Sequence, residues 1–343
     1  MNVLFIGLGG IGQRHLRALN RVMPEARIFA VRNRGKKYEI TDTMQVNNDI
    51  NIESKYNIKV LNTINEATAN NIDCAIVANP TSLHIETALE LVGNNIPVLL
   101  EKPISNTDAK VDELITLSLQ NNTPVMIGYM MRFHPCMIHL EEYIKKQKIG
   151  NIYNIAVDVN SYMPSWHKYE KYNSFYAGKK NLGGGVVLTE IHEIDLISHL
   201  FGMPKNLYAV GGKRSSLDLD VEDTVNILME YEKEDNNFAV TINMSFVQHT
   251  PLRRFQVFGE NGNILWDIYN NKIKLTDYVN DFIDEYEYSD FDRNNMFKDQ
   301  ILYFIESVKN KTKPITSIEN VISSHRIAMD IKKYLKIRGA KGV

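Results

Sequence analysis

Cysteine is nearly absent from this chain: Cys74 and Cys136 are the only two in 343 residues, and each sits in an apolar-rich stretch. That argues against a disulfide framework and against a cysteine-built metal centre. Dense runs of lysine and arginine are also missing, and the formal net charge is −2. Nucleic acid and anionic membrane surfaces are therefore not the expected partners. No apolar run approaches the roughly 20 residues that span a bilayer. The first strand begins beside Met1, which leaves no room for a cleavable signal, so a cytoplasmic location is expected. Internal repeats are lacking, and asparagine enrichment is the only compositional bias. What remains is an ordinary soluble composition, 44% hydrophobic and 23% charged. A chain of this length buries a large core and divides into two domains, expected at residues 1–127 and 128–343. The expected partner is a small molecule.

The most informative stretch is residues 3–12, VLFIGLGGIG, an apolar strand running into Gly7, Gly9 and Gly12. Gly7 permits a tight turn, Gly9 lets the backbone approach a pyrophosphate, and Gly12 lets the next helix pack closely on the strand. Gly10 and Ile11 open that helix, whose free N–H groups and positive dipole end face the diphosphate. Ile11, His15, Leu16, Leu19 and Val22 have helical spacing. Residues 26–32, 58–62, 73–80, 96–103 and 123–133 read as further strands, with helices over 82–95 and 107–120 and a polar, Asn-rich stretch over 33–57. This alternation demands parallel strands with crossover helices. Beyond Phe133 the pattern changes to strands separated by polar turns, and ENGN at residues 260–263 is a hairpin signal. The expected fold is α/β: a doubly wound Rossmann sheet, then an α+β domain with a largely antiparallel open sheet. Residues 317–337 form an amphipathic helix that packs back on the protein.

About 20 positions beyond the last glycine, where the adenosine ribose is met, stands Arg32. With Arg34, Lys36 and Lys37 it offers a positive charge to a 2′-phosphate, so NADP(H) is favoured and NAD(H) remains possible. The alternatives are a solvated basic loop, or ribose hydroxyls bound by Asn33. Glu101, Lys102 and Pro103 end the fifth strand, where open α/β sheets place ligands. A lysine desolvated beside oxidised nicotinamide has a lowered pKa and exchanges protons with a substrate hydroxyl, although most strand-end lysines are simply solvated.

GLGGIG, NPTSLH (79–84), EKPIS (101–105), GYMMRFHP (128–135) and GGGVVLTEIHEIDL (183–196) together resemble the Gfo/Idh/MocA oxidoreductase family in order and spacing. The resemblance implies a Rossmann domain, a second domain whose open sheet faces the cofactor, and NAD(P)-linked hydride transfer on carbohydrate-like substrates. Assembly into a homodimer or homotetramer through the sheet is also implied. Asn79, Pro80, His84, Glu101 and Lys102 are implied to meet the cofactor. Lys102 is implied to relay a proton or hold the reacting hydroxyl, and His192 to act as general acid/base, with Asp195 one helical turn away. Many relatives carry an aspartate three or four residues before this histidine; here those positions hold Thr189 and Leu188. Glu190 is a substitute, though on a continuous helix it points to another face. By spacing alone His192 also reads as a core histidine bonded to a carbonyl.

Residues 161–185 lack periodicity and read as a substrate-covering loop. Trp166, Tyr172 and Tyr176 suit a sugar ring or base, and His167, Lys168, Lys171 and Lys179 suit phosphate or carboxylate. The Trp-His pair resembles a subgroup associated with bacterial surface sugars. Tyr129, Arg132, Thr189 and Asp195 complete the candidate substrate residues, beside Lys102 and His192. No metal is expected, because Glu190, His192, Glu193 and Asp195 lack a zinc spacing. The expected activity is a dehydrogenase or ketoreductase acting on a hydroxyl of a sugar, inositol, sugar acid or sugar nucleotide. A catalytically silent NADP-binding regulator of the same fold is the rival, and an imine reductase a third reading.

Overall fold

The computed structural model describes residues 1–32, 35–167, 169–233 and 236–339. Asn33, Arg34 and Lys168, named above as candidates, lie outside these ranges. The first half contains β1 (Asn2–Ile6), α1 (Gly10–Val22), β2 (Arg27–Val31), β3 (Tyr38–Ile40), β4 (Val46–Asn51), α2 (Ile52–Lys55), β5 (Lys59–Leu61) and α3 (Asn65–Thr68). It continues with β6 (Cys74–Val77), α4 (His84–Gly93), β7 (Val98–Leu100), α5 (Val111–Gln120) and β8 (Val125–Ile127). Six of these strands form a parallel sheet in the order β5-β2-β1-β6-β7-β8. The central strands are buried on both faces, which is why β1 and β6 read as unbroken apolar runs rather than alternating ones. The chain leaves β1 towards β2 on one side and returns to β6 on the other, so a crevice opens beyond the carboxyl ends of β1 and β6.

The second half holds α6 (Pro135–Lys145), β9 (Ile152–Tyr162), α7 (Val186–Thr189), α8 (Ile191–Phe201), β10 (Asn206–Gly212), β11 (Thr224–Lys233) and β12 (Asn236–Ser245). Then follow β13 (Val247–Gly259), β14 (Gly262–Asp267), β15 (Lys272–Asp277), β16 (Phe282–Glu287), α9 (Asn294–Asn310) and α10 (Ile318–Gly339). Its eight strands run β10-β11-β12-β9-β13-β14-β15-β16, antiparallel except where β12 meets β9. One face is covered by helices, α6 on β14 and β15, and α7 and α10 on β10 to β12. Alternation follows: Ala209, Ile227 and Met229 are buried while their neighbours Tyr208, Val210 and Leu228 are exposed.

The last segments tie the halves together. Helix α9 packs on α1, and Thr316 donates its hydroxyl to the Ile127 carbonyl at 2.9 Å while its own carbonyl accepts from Ile127 N–H at 2.8 Å. No helix among the described residues is long and apolar enough to cross a membrane.

Four local expectations need correction. The sixth strand stops at Ile127 instead of running to Phe133, because Gly128 lies against Glu101 and a 3₁₀ turn over Met130–Phe133 follows. Pro135 then starts α6 at a position where its missing N–H costs nothing, with His134 Nδ1 accepting from Cys136 N–H at 3.1 Å. The polar stretch over 33–57 contains the β3–β4 hairpin and α2. Gln13 fixes that hairpin to α1, its Oε1 accepting from Ile40 N–H at 2.6 Å and its Nε2 donating to the Tyr38 carbonyl at 3.1 Å. The run after Gly185 is two helices rather than one.

Candidate active site

A cavity of about 1030 Å³ lies between the two sheets. Its floor is main chain. Gly7 adopts φ +91°, and a Cβ there would stand 2.9 Å from the Ala78 carbonyl oxygen. A Cβ on Gly12 would lie 2.2 Å from the Gly7 carbonyl oxygen, so only glycine lets α1 begin this close to its strand. At Gly9 an added Cβ meets nothing within 4 Å, because that position faces the open cavity. Gly9 caps α1 without any side-chain acceptor, leaving the first amides of the helix free for an anion. Asn79, after β6, donates to Thr87 Oγ1 at 2.9 Å, while its buried Oδ1 has no partner. These features fit a dinucleotide: glycines where its phosphates approach, unpaired amides, and an orphaned acceptor beside them.

Ile11, Pro80 and Glu101 also line the cavity. Glu101 Oε1 and His15 Nε2 are 2.5 Å apart in the interior. His84 lines the cavity, but both ring nitrogens are taken, by the carbonyls of Pro103 at 2.8 Å and Asn79 at 3.0 Å. It braces the ends of β6 and β7 against each other. Arg32 lines the opposite end with its guanidinium engaged by Glu53 Oε1 and the Lys36 carbonyl. Lys37 reaches the second oxygen of Glu53 at 3.1 Å.

Lys102 follows β7, and its Nζ donates to the Thr189 carbonyl. Burial lowers its pKa, opposed by the carboxylates of Glu190 and Glu101. Glu190 is the non-helical residue between α7 and α8, with φ −98° and ψ 33°. That break turns it into the cavity with Thr189 and His192, a placement that a continuous helix forbids. Its carboxylate has no hydrogen-bond or ion-pair partner among the described residues. His192 is held neutral: burial first, then the positive charges of Lys102, Arg253 and Arg293, push its pKa well below the usual histidine value. Its Nδ1 and the Thr189 hydroxyl are buried without partners.

Trp166, His167 and Tyr176 line the cavity as well. Trp166 stands edge-on to Phe246, with ring centroids 5.1 Å apart, and donates from Nε1 to Ser161 Oγ at 3.0 Å. His167 packs against Tyr169 and Phe175 and leaves Nδ1 unpartnered. Tyr172 is absent from the lining; its hydroxyl accepts from Asp218 N–H at 3.2 Å.

Three expected substrate residues lie elsewhere. Tyr129 is fully buried, its hydroxyl 2.8 Å from Ser324 Oγ and its ring edge-on to His192 at 6.1 Å. Arg132 and Asp195 form a buried fork-to-carboxylate pair, 2.7 and 2.8 Å, outside the cavity lining. The short 3₁₀ turn after Gly128 carries both Tyr129 and Arg132 inward, and the helix turns Asp195 away from the face of Glu190. Tyr129 thus backs His192, and the Arg132–Asp195 pair joins this turn to α8.

Several lining residues escaped the sequence reading: Arg14, Tyr169, Arg253, Tyr269, Arg293 and Phe297. Only Arg253 left a signal. It shares the parity of Phe255 and Val257, the buried face of β13, and a charge on a core face is unusual. A Cβ on Gly10 would lie 2.8 Å from Tyr169 Oη, so this loop is seated over the glycine turn.

Comparison with known proteins agrees with this architecture. Residues 1–129 match the oxidoreductase family with an NAD-binding Rossmann fold, and residues 137–265 match the GFO/IDH/MocA C-terminal domain. An uncharacterized oxidoreductase of Streptococcus pneumoniae is 26% identical over 267 residues, 76% of this chain and 71% of the relative. Myo-inositol 2-dehydrogenase of Thermotoga maritima is 23% identical over 328 residues, 93% of this chain and 92% of its own. Among solved structures, an oxidoreductase from Agrobacterium radiobacter in complex with NAD+, L-tartaric acid and magnesium superposes with a TM-score of 0.79. It is 13% identical over 97% of this chain and 96% of that one. The chain belongs to the Gfo/Idh/MocA oxidoreductases.

Proposed function

We propose that this protein oxidises a secondary hydroxyl of a carbohydrate-like substrate to a ketone, or catalyses the reverse reduction, with NADP(H) favoured over NAD(H). The observation that carries the reading is the junction of Lys102 with the Thr189–His192 segment in the same cavity as the glycine turn. When bound, the nicotinamide supplies the hydride acceptor or donor. Lys102 polarises the reacting oxygen from the Rossmann side. His192, neutral and with a free ring nitrogen, takes the hydroxyl proton as the hydride leaves the same carbon. Thr189 fixes Lys102 through its carbonyl. Glu190 stands where it can pass the proton on, supplying from the helix break the carboxylate that Leu188 and Thr189 lack. Trp166, His167 and Tyr176 limit substrate size and shield the site from water. At the adenosine end, Arg32, Lys36 and Lys37 outnumber Glu53, which supports the preference for a 2′-phosphate. Relatives such as the inositol dehydrogenase support a polyhydroxylated substrate. The exposed apolar face of the second sheet, with Tyr208, Val210 and Leu228, supports a homodimer or homotetramer built on that face.

The test is a turnover screen, read by nicotinamide absorbance, with NAD and NADP against inositols, hexoses, uronic acids and nucleotide sugars. Turnover that falls about 10²–10⁴-fold in Lys102→Ala is the expected result. Tight cofactor binding without turnover of any substrate would favour a silent regulator instead.

A further inference from the structure

On the substrate side of the cavity stand two guanidinium groups with unused donors. Arg253, nine-tenths buried on β13, spends Nε on Glu193 Oε1 at 2.6 Å, and its Nη2 is buried with no partner. Glu193 does not line the cavity, whereas Arg253 does, so the pair leaves donors of the arginine fork unspent at the cavity wall. Arg293, at the start of α9, also lines the cavity and has no hydrogen-bond or ion-pair partner among the described residues. It is exposed to solvent through the open cavity, and the protein around its charge, then the positive charges of Arg253 and Arg14, press its pKa downward against the opposing pull of Glu190 and Tyr269. Arg14 leaves its own Nε unpartnered and lies over the Phe297 ring at 5.1 Å. Like charges gathered at one wall repel, and the more so as solvent is excluded from between them. Glu190 is hydrogen-bonded to none of the three, although its charge offsets part of the positive field at Arg253 and Arg293.

We infer that the substrate carries an anionic group, a carboxylate or a phosphate, and that Arg253 and Arg293 hold it beside Lys102 and His192. This rests on the dehydrogenase reading above and narrows it from carbohydrates at large to anionic ones. Planar, fixed donor forks are the side chains that match the paired oxygens of carboxylates and phosphates. Their position explains a feature of the site that a neutral substrate leaves unexplained. Burial and then Lys102 depress the basicity of His192 most, and both guanidiniums add to the depression; an anion seated on them offsets that added part and raises the affinity of the imidazole for a proton. A neutral sugar lacks this effect and leaves the charges unpaired in a closing site.

The experiment measures binding and turnover separately, at saturating cofactor. The probes are glucose and myo-inositol as neutral ligands, glucuronate as a carboxylate, and glucose 1-phosphate and UDP-glucose as phosphate and diphosphate. Binding is read by Trp166 fluorescence and calorimetry. Saturable binding confined to one or more anionic probes is expected, with the responding arm naming the anion. Arg293→Gln should weaken it roughly 10–100-fold in Kd, the size of a charged hydrogen bond, and Arg293→Lys should recover part. Arg293 has no intramolecular partner to orphan, so the fold is expected to survive the change. Neutral and anionic probes binding alike, no saturable binding of any anionic probe, or an Arg293→Gln variant that binds as the wild type would each overturn the inference. Turnover without anion dependence removes this inference and leaves the dehydrogenase reading standing; anion binding without turnover of any probe does the opposite.

Discussion

The two walls of the cavity are made by different means. The Rossmann wall is mostly main chain: glycines at positions 7, 9 and 12, free helix amides, and strand ends that deliver Asn79, Glu101 and Lys102. The opposite wall is mostly side chain, contributed by a loop, by the break between α7 and α8, by β13 and by the start of α9. A backbone wall recognises what all dinucleotides share and tolerates little variation in the chain. A wall of side chains can be rewritten one residue at a time, which is how one fold serves many substrates.

The contrast can be attacked from both sides. The largest expected effect lies behind the side-chain wall. Asp195→Ala leaves the Arg132 guanidinium buried without its carboxylate, and should cost about 3–5 kcal/mol of unfolding free energy in denaturant titration. If Asp195 instead bound substrate, KM would rise and the unfolding midpoint would hold. On the backbone wall, Gly9→Ala puts a methyl into open space, so thermal stability should be unchanged. Cofactor affinity should fall by at least about tenfold, equivalent to ~1.4 kcal/mol, because the methyl occupies the approach of the phosphates. Equal cofactor Kd values for wild type and variant would remove the diphosphate assignment.

Smaller effects sharpen the picture at the proposed adenosine end, where Arg32 adds a charged side chain to the backbone wall. Arg32→Asp should shift relative affinity from NADPH towards NADH, and Glu53→Gln should shift it the other way by freeing Arg32. Each change is expected to be about tenfold, within the range of a charged hydrogen bond. Unchanged ratios in both would show that the ribose lies elsewhere. The smallest effect is on pH dependence. His192 faces Lys102 after β7, Arg253 on β13, Arg293 before α9 and the edge of Tyr129. Oxidation needs the neutral ring, whose pKa is depressed. The value of kcat/KM, which reports the free protein, should therefore hold its plateau as pH falls to the ordinary histidine value and decline only below it. A decline centred above pH 6.5 would contradict the depression.

Legibility in the sequence followed the same division. The glycine turn, the strand-end lysine and the alternation of strands and helices were readable because each signal lies within a dozen residues and depends on backbone geometry. Thr189 and His192 were readable by resemblance, but the break at Glu190 was not, since neither glycine nor proline marks it. Arg293 and Tyr169 gave no local sign; their roles arise only when segments more than a hundred residues apart converge. Tyr129 and Arg132 misled because a strand was extended through Gly128, and two positions of 3₁₀ turn suffice to send side chains into the interior instead of the crevice. Arg253 shows that some convergent residues do announce themselves, through a charge placed on the buried parity of a strand.

Tyr169 gives the loop over residues 161–185 a second meaning. Its hydroxyl sits above Gly10, so the segment proposed to cover the substrate also roofs the glycine turn proposed to meet the dinucleotide. Entry of one ligand and departure of the other are thereby placed under a common latch. Such an arrangement favours ordered exchange, cofactor in first and out last, with the opening of this loop setting the pace of successive turnovers.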